Sequence, residues 1–273
     1  MKTAHWTVQE DVLSGLRSLP EDLQKDVPIL TVNRQGASPE SYMRTENYLG
    51  YVQPNKIYQL QLDGMYETEE LAVMPLPSPI APPRSKLTGD WQTKVDLTID
   101  DANILGGNGR YLLNKGEKSL NIAIAKATPE HLAYYHSRLV KIGDAIQFNA
   151  SGNLPLTVTS VGKDYPQDYL LKPELGGGAY LEVHDRPHFH MPLDETCGGY
   201  LIIGKRNEEG LDEVSAFQVP FGYGIHMAPW AIHADAYITG RFMVIYSATP
   251  EFSTVIVRQE NGELANIEFT ASP

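Results

Sequence analysis

Residues 187–195 read PHFHMPLDE, and the interpretation of the whole chain turns on this stretch. His188 and His190 stand two apart in a strand-like run. Side chains on a strand alternate between faces, so the two imidazoles leave the same side and can address one point. Glu195 follows a bend at Pro192, where a carboxylate can approach that same point. A further ligand has to come from a separate strand, and His233 in GIHMAPWAIHAD (residues 224–235) is the best placed. Imidazole nitrogens with a carboxylate oxygen are donors that suit divalent transition metals. His188, His190, Glu195 and His233 are therefore the expected metal ligands.

The histidines cluster. Of the eight in the chain, His184, His188, His190, His226 and His233 fall within the 50 residues from 184 to 233. Satisfied core histidines are the alternative, but an even spread would leave one or two in such a window. His226, on the strand entering the His233 segment, can serve as an acid/base group near neutral pH or face solvent. Glu182 and His184 share strand parity with the His pair and line the same pocket or its rim. Glu182 and His226 are the expected bases. Tyr200 and Tyr223 can donate to a substrate, although aromatic residues on strands also serve packing. Cys197 reads as a small buried residue rather than a nucleophile.

Around this region the chain reads as short strands separated by turns. DAIQFNA, LPLTVTSVG, AYLEVH, FHMPL, GYLIIGK, VSAFQVP, GIHMA, RFMVIYS and STVIVRQ follow one another after Gly143, the pattern of a sandwich or barrel. Upstream, the pattern predicts a short amphipathic helix over Thr7–Leu19 and a strand over Lys56–Leu62. The run MPLPSPIAPPR, Met74 to Arg84, admits no regular element and reads as a linker or strap. A strand over Trp91–Ile104 and a plain turn at Gly106–Gly109 come next. Thr128-Pro129-Glu130 then opens a helix expected to run to about Lys141. The chain divides into an N-terminal extension, residues 1–142, and a metal-binding barrel, residues 143–273.

The motifs resemble those of the cupin superfamily. His188-Phe189-His190, four further residues and Glu195 are similar to its first motif, and Gly222, eleven residues before His233, matches the glycine-to-histidine spacing of its second. Ala228 and Trp230 stand where that family usually has proline and glycine, and Ile202 where a glycine follows the glutamate. Within cupins, residues 214–247 are similar to ureidoglycolate lyases in Ala216, Phe217, Gly222, Gly224 and His233, as is LEVHDRPHFHMPL at residues 181–193.

The resemblance covers roughly residues 143–260. It implies a mainly β chain with a cupin (double-stranded β-helix or jelly-roll) barrel, preceded by an N-terminal α+β extension or a degenerate second barrel. It also implies a divalent metal ion (Zn, Mn, Fe or Ni), a small-molecule substrate and a homodimer. The expected activity is lyase-like, on a hydroxy or ureido acid, with Lewis-acid stabilisation of an oxyanion; Glu182 or His226 would move the proton and Tyr200 would donate to the substrate. An Fe(II)-dependent dioxygenase, an isomerase on a sugar-like substrate and a non-catalytic small-molecule-binding cupin remain open.

Bulk properties narrow the partners. The 273 residues carry 22 Lys+Arg against 34 Asp+Glu, a net charge of −12 that repels phosphate backbones and anionic membrane surfaces. Nucleic acid and membrane are therefore not expected partners. No signal-peptide pattern opens the chain, and one cysteine precludes an intrachain disulfide framework. A cytoplasmic setting is the expectation.

Overall fold

Strand Ile232–Ile245, fourteen residues rich in β-branched and aromatic side chains, organises the architecture. Its first part pairs antiparallel with strand Gly198–Arg206, from Gly204↔Ile232 to Gly198↔Thr239. Its last part pairs with strand Leu154–Val161, from Val161↔Gly240 to Leu156↔Ile245, and on its other edge with strand His188–Pro192. The hand-over falls at Gly240, whose φ is +101°. A β-carbon there would stand 2.7 Å from Cys197 Sγ, so both the backbone angle and the close approach demand glycine.

A computed structural model of the chain describes residues 10–25, 31–93, 109–246 and 248–271. The described chain is mainly β, as the alternating pattern predicts. Two arms of one large sheet branch from the long strand. One arm includes Tyr180–His184, Gly198–Arg206 and Asp212–Phe217. The other includes His188–Pro192, Tyr223–Met227, Leu154–Val161, Tyr42–Val52 and Asn33–Gln35. Leu201, Ile203 and Phe217 of the first arm share a core with Met43, Val161, Ile225 and Val244 of the second.

Period-two alternation in His188–Pro192 produces a second core. Phe189 and Met191 turn away from the histidine side and pack with Met243 and Ile245 against Tyr58, Leu60, Ile146 and Phe148. The last four come from or adjoin a small three-stranded sheet formed by Ile57–Gln61, Gly64–Glu67 and Ala145–Gln147.

The large sheet runs continuously across residue 142. Tyr42–Val52 pairs with Leu154–Val161, Arg138–Lys141 with Tyr223–Met227, and Ser119–Ala125 lies parallel to Asp212–Phe217 and to Asn266–Ala271. The expected seam between an extension and a barrel is thus crossed by ladders rather than by a linker.

Helix Pro129–Tyr134 begins as predicted, with the Thr128 side chain accepting from the His131 amide at 3.2 Å. It ends at Tyr134, about two turns before Lys141. His136 adopts φ +56°, and the Ser137 amide bonds back to Leu132 O, which closes the helix. Residues Arg138–Lys141 instead complete a ladder with Tyr223–Met227, a long-range pairing that local propensity does not reveal. The N-terminal helix spans Glu10–Leu16, the expected 56–62 strand is Ile57–Gln61, and the proline-rich run from residue 74 has no regular element before Ser85–Leu87. Of the expected 91–104 strand, the described part is Asp90–Gln92. Its remainder from residue 94 and most of the 106–109 turn lie outside the described residues, as does the start of the 7–19 helix. No helix among the described residues is long and apolar enough to cross a membrane.

Candidate metal centre

Glu182, His184, His188 and His233 each bring one potential ligand atom to within 4.8 Å of the others. Register explains the convergence. Glu182 pairs directly with His233, so both side chains leave the same face, and His184 lies two residues beyond Glu182 on that face. The chain then turns through Asp185, Arg186 and Pro187 and returns as His188–Pro192, carrying His188 back to the group.

Hydrogen bonds orient the rings. His233 Nδ1 lies 2.9 Å from Ala231 O, to which it donates, leaving Nε2 directed at the group. That Nε2 stands 2.9 Å from Glu182 Oε1, off the line of an aligned hydrogen bond. The Arg186 amide donates to His184 Nδ1 at 3.2 Å, so the neutral His184 ring carries its proton on Nε2. This Nε2 lies 2.8 Å from His188 Nε2. His188 Nδ1 is buried without a partner.

Burial pushes His188 well below the ordinary imidazole range, and charge on His233 adds to the effect. Burial likewise lowers His184, to about 4, with His233 again contributing. Both rings are neutral at pH 7, as metal ligands must be. For His233, burial works downward, but the Glu182 carboxylate and the Ala231 carbonyl more than offset it and raise the pKa. Burial also opposes ionisation of Glu182, yet His233 holds its pKa below the usual value.

A second layer lies one strand period further on. Moving two residues along each strand replaces Glu182, His188 and His233 by Tyr180, His190 and Asp235. His190 Nε2 donates to Asp235 Oδ2 at 3.1 Å, and the Tyr180 hydroxyl donates to Asp235 Oδ1. Burial opposes the Asp235 carboxylate, but His190 and Tyr180 overcome this and hold its pKa at about 2. His190 Nδ1 is buried without a partner, and the Tyr246 ring lies 5.9 Å from that of His188 and 6.2 Å from that of His190.

Sequence spacing and structure thus gather overlapping sets. His188 and His233 come together in the group; His190 points into the same interior but is engaged by Asp235. Glu195 lies exposed in the turn after Pro192, where Asp194 Oδ1 accepts from the Thr196 amide at 2.8 Å, and it does not join the group. Glu182, expected as a base, lies with His184 in the group that could hold a metal ion. His226 pairs with Phe189, so its ring sits on the opposite face, 5.0 Å from the Phe148 ring, with both nitrogens unpartnered. The Tyr200 ring packs against Phe269 at 4.7 Å. Strand parity already points the Glu182-x-His184 pair at the same pocket, but the sequence does not mark it out for the group in place of Glu195.

The donor set fits a divalent transition ion: Glu182, His188 and His233 direct a carboxylate and two imidazole nitrogens at one place, and two buried nitrogens lack aligned hydrogen bonds. A cavity of about 360 Å³, lined in part by Trp91, Val183, Trp230 and Ile232, lies behind the ligand strands. Val183 and Ile232 alternate with the ligands, which places that cavity on the other face. No protein-family model matches the chain, and comparison with curated proteins found no significant match.

Proposed function

We propose that the chain is a cupin-type, metal-dependent enzyme acting on a small polar substrate, with lyase-like chemistry. The observation that carries this reading is the convergence of Glu182, His188 and His233, with His184 beside them, in a largely buried interior. The resemblance of residues 187–195 and 222–233 to cupin motifs supports the fold assignment.

A divalent ion held by these side chains supplies Lewis-acid polarisation of a substrate carbonyl, hydroxyl or carboxylate oxygen. The neutral His184 ring directs its Nε2–H into the same space and steadies an oxygen that gains negative charge. His190 is the base: Asp235 fixes its Nε2–H, so the unpartnered Nδ1 keeps the lone pair that takes a proton. Tyr180 holds Asp235 in place from its other oxygen. Burial of the imidazoles excludes water from the reacting groups.

The histidine and carboxylate donors favour one second reading, an Fe(II) dioxygenase, in which an ion held by them would take O₂ beside a chelating substrate. Elemental analysis of the purified protein and of His233→Ala tests the centre. The expected outcome is near-stoichiometric metal in the wild type and its loss in a variant with wild-type circular dichroism. Full metal retention in His233→Ala overturns the assignment. Oxygen uptake with candidate substrates separates the dioxygenase from the lyase.

A further inference from the structure

Among the described residues, Arg34 has no matching anion. It lies in strand Asn33–Gln35 opposite Met43, and Met43 in turn pairs with Val161. Met43 and Val161 are both in the main core, and residues opposite one another share a face, so the Arg34 side chain enters the interior that holds the metal centre. Its Nη1 donates to the Tyr165 hydroxyl at 3.3 Å and approaches Met43 Sδ at 3.7 Å. Neither carries negative charge at neutral pH; burial raises the Tyr165 pKa further above its ordinary value.

Two other guanidiniums meet carboxylates. Arg84 meets Glu213 at 2.9 Å, and Arg206 grips Asp212 through two nitrogens at 2.9 and 3.0 Å. Among the described residues, no carboxylate stands within ion-pair distance of Arg34. Arg34 is half-buried and burial works against its charge; a cation drawn from water is costly without a counter-charge, and its guanidinium offers five donors, of which Nη1 meets the Tyr165 hydroxyl.

Polar groups continue from Arg34 toward the centre. Tyr165 and Tyr180 both feel the Arg34 charge, and Tyr180 donates to Asp235, which orients His190. Tyr246, beside His188 and His190, also feels it, and its buried hydroxyl, near Thr159, makes no aligned hydrogen bond among the described residues.

We infer that Arg34, with the Tyr165 hydroxyl, binds the carboxylate of a small organic acid whose other end reaches the Glu182–His188–His233 centre. The role of that far end rests on the proposed function; the anion site does not. A planar guanidinium matches a carboxylate through two parallel hydrogen bonds. A phosphate dianion would bring more charge than one guanidinium balances, in an interior that already holds the Glu182 and Asp235 carboxylates.

The test is calorimetric titration of malate and of inorganic phosphate into the full-length protein as purified. Wild type, Arg34→Gln and Arg34→Lys are compared, with melting temperature and metal content read on the same samples. Malate is expected to bind the wild type in preference to phosphate, and Arg34→Gln to weaken it at least about tenfold. The variant should keep its metal and should melt no lower than the wild type, because an unpaired cation has been removed. Unchanged malate binding in Arg34→Gln overturns the inference, as does tighter binding of phosphate than of malate. If Arg34→Gln does not fold, Arg34→Lys decides: weaker malate binding at the wild-type melting temperature supports the guanidinium fork, and equal binding refutes it. Wild-type protein that lacks metal yet binds malate through Arg34 removes the metal reading and leaves this one.

Discussion

His190 and His188 share a strand face, yet hydrogen bonding separates their roles: His188 Nε2 meets His184, whereas His190 Nε2 meets Asp235. The expectation is that His188→Ala and Glu182→Ala lose metal, while His190→Ala and Glu195→Ala keep it, with His190→Ala alone of the latter two losing turnover. Metal analysis beside an activity assay distinguishes these outcomes. If Glu195→Ala strips the metal, the group is drawn from the wrong carboxylate.

His226 provides a pH prediction away from the ligands. Burial first, then the Arg138 charge, lowers its pKa to about 4 from an ordinary 6.5. The unfolded chain therefore takes up a proton between about pH 6.5 and 4 that the folded chain refuses. Stability is complete above pH 6.5 and falls as the pH drops toward 4, by ~2 kcal/mol from this group between pH 7 and 5. Urea unfolding of His226→Phe at those two pH values should show a decline smaller by that amount. An identical decline in variant and wild type would place the titration elsewhere.

At the scale of elements, strand Ile232–Ile245 works only because Gly240 lets it pass from one arm of the sheet to the other. Gly240→Ala puts a β-carbon at positive φ against Cys197, and is expected to cost about 2–4 kcal/mol by denaturant unfolding. A variant as stable as the wild type would mean that the crossing does not depend on this residue. The turn before the same strand is also strained. Trp230 adopts φ +66°, its amide donates to His184 O at 2.7 Å, and the adjacent Ala231 carbonyl holds His233. One turn thus pins two ligand strands, which gives the strain a structural use.

At the scale of the whole molecule, the N-terminal half is part of the fold rather than an attachment. Tyr58 and Leu60 help cover the Phe189 and Met191 face, and Tyr42–Val52 and Arg138–Lys141 complete its ladders. A fragment of residues 143–273 would expose that apolar face and the strand edges now covered by Tyr42–Val52, Gly109–Leu112, Ser119–Ala125 and Arg138–Lys141. It is expected to lack near-ultraviolet circular dichroism and cooperative melting, and a cooperatively folding fragment would refute this integration.

Several features were legible in the sequence because their causes are local. Strand positions after Gly143 follow from alternation, the start of helix Pro129–Tyr134 from its cap, and the histidine pair from period two. The end of that helix was not legible, because His136 and the pairing of Arg138–Lys141 with Tyr223–Met227 override a good helical pattern. Nor was the face of His226 legible, since it depends on the register with Phe189.

The sequence by itself determined a mainly β chain and a concentration of imidazoles with a parity that sends neighbours to one side. Tertiary structure alone decided which carboxylate joins them, because Glu182 meets His233 through a register between distant strands, while the nearer Glu195 turns outward. Alternation is a property of one strand; convergence is a property of several, and only their pairing carries it.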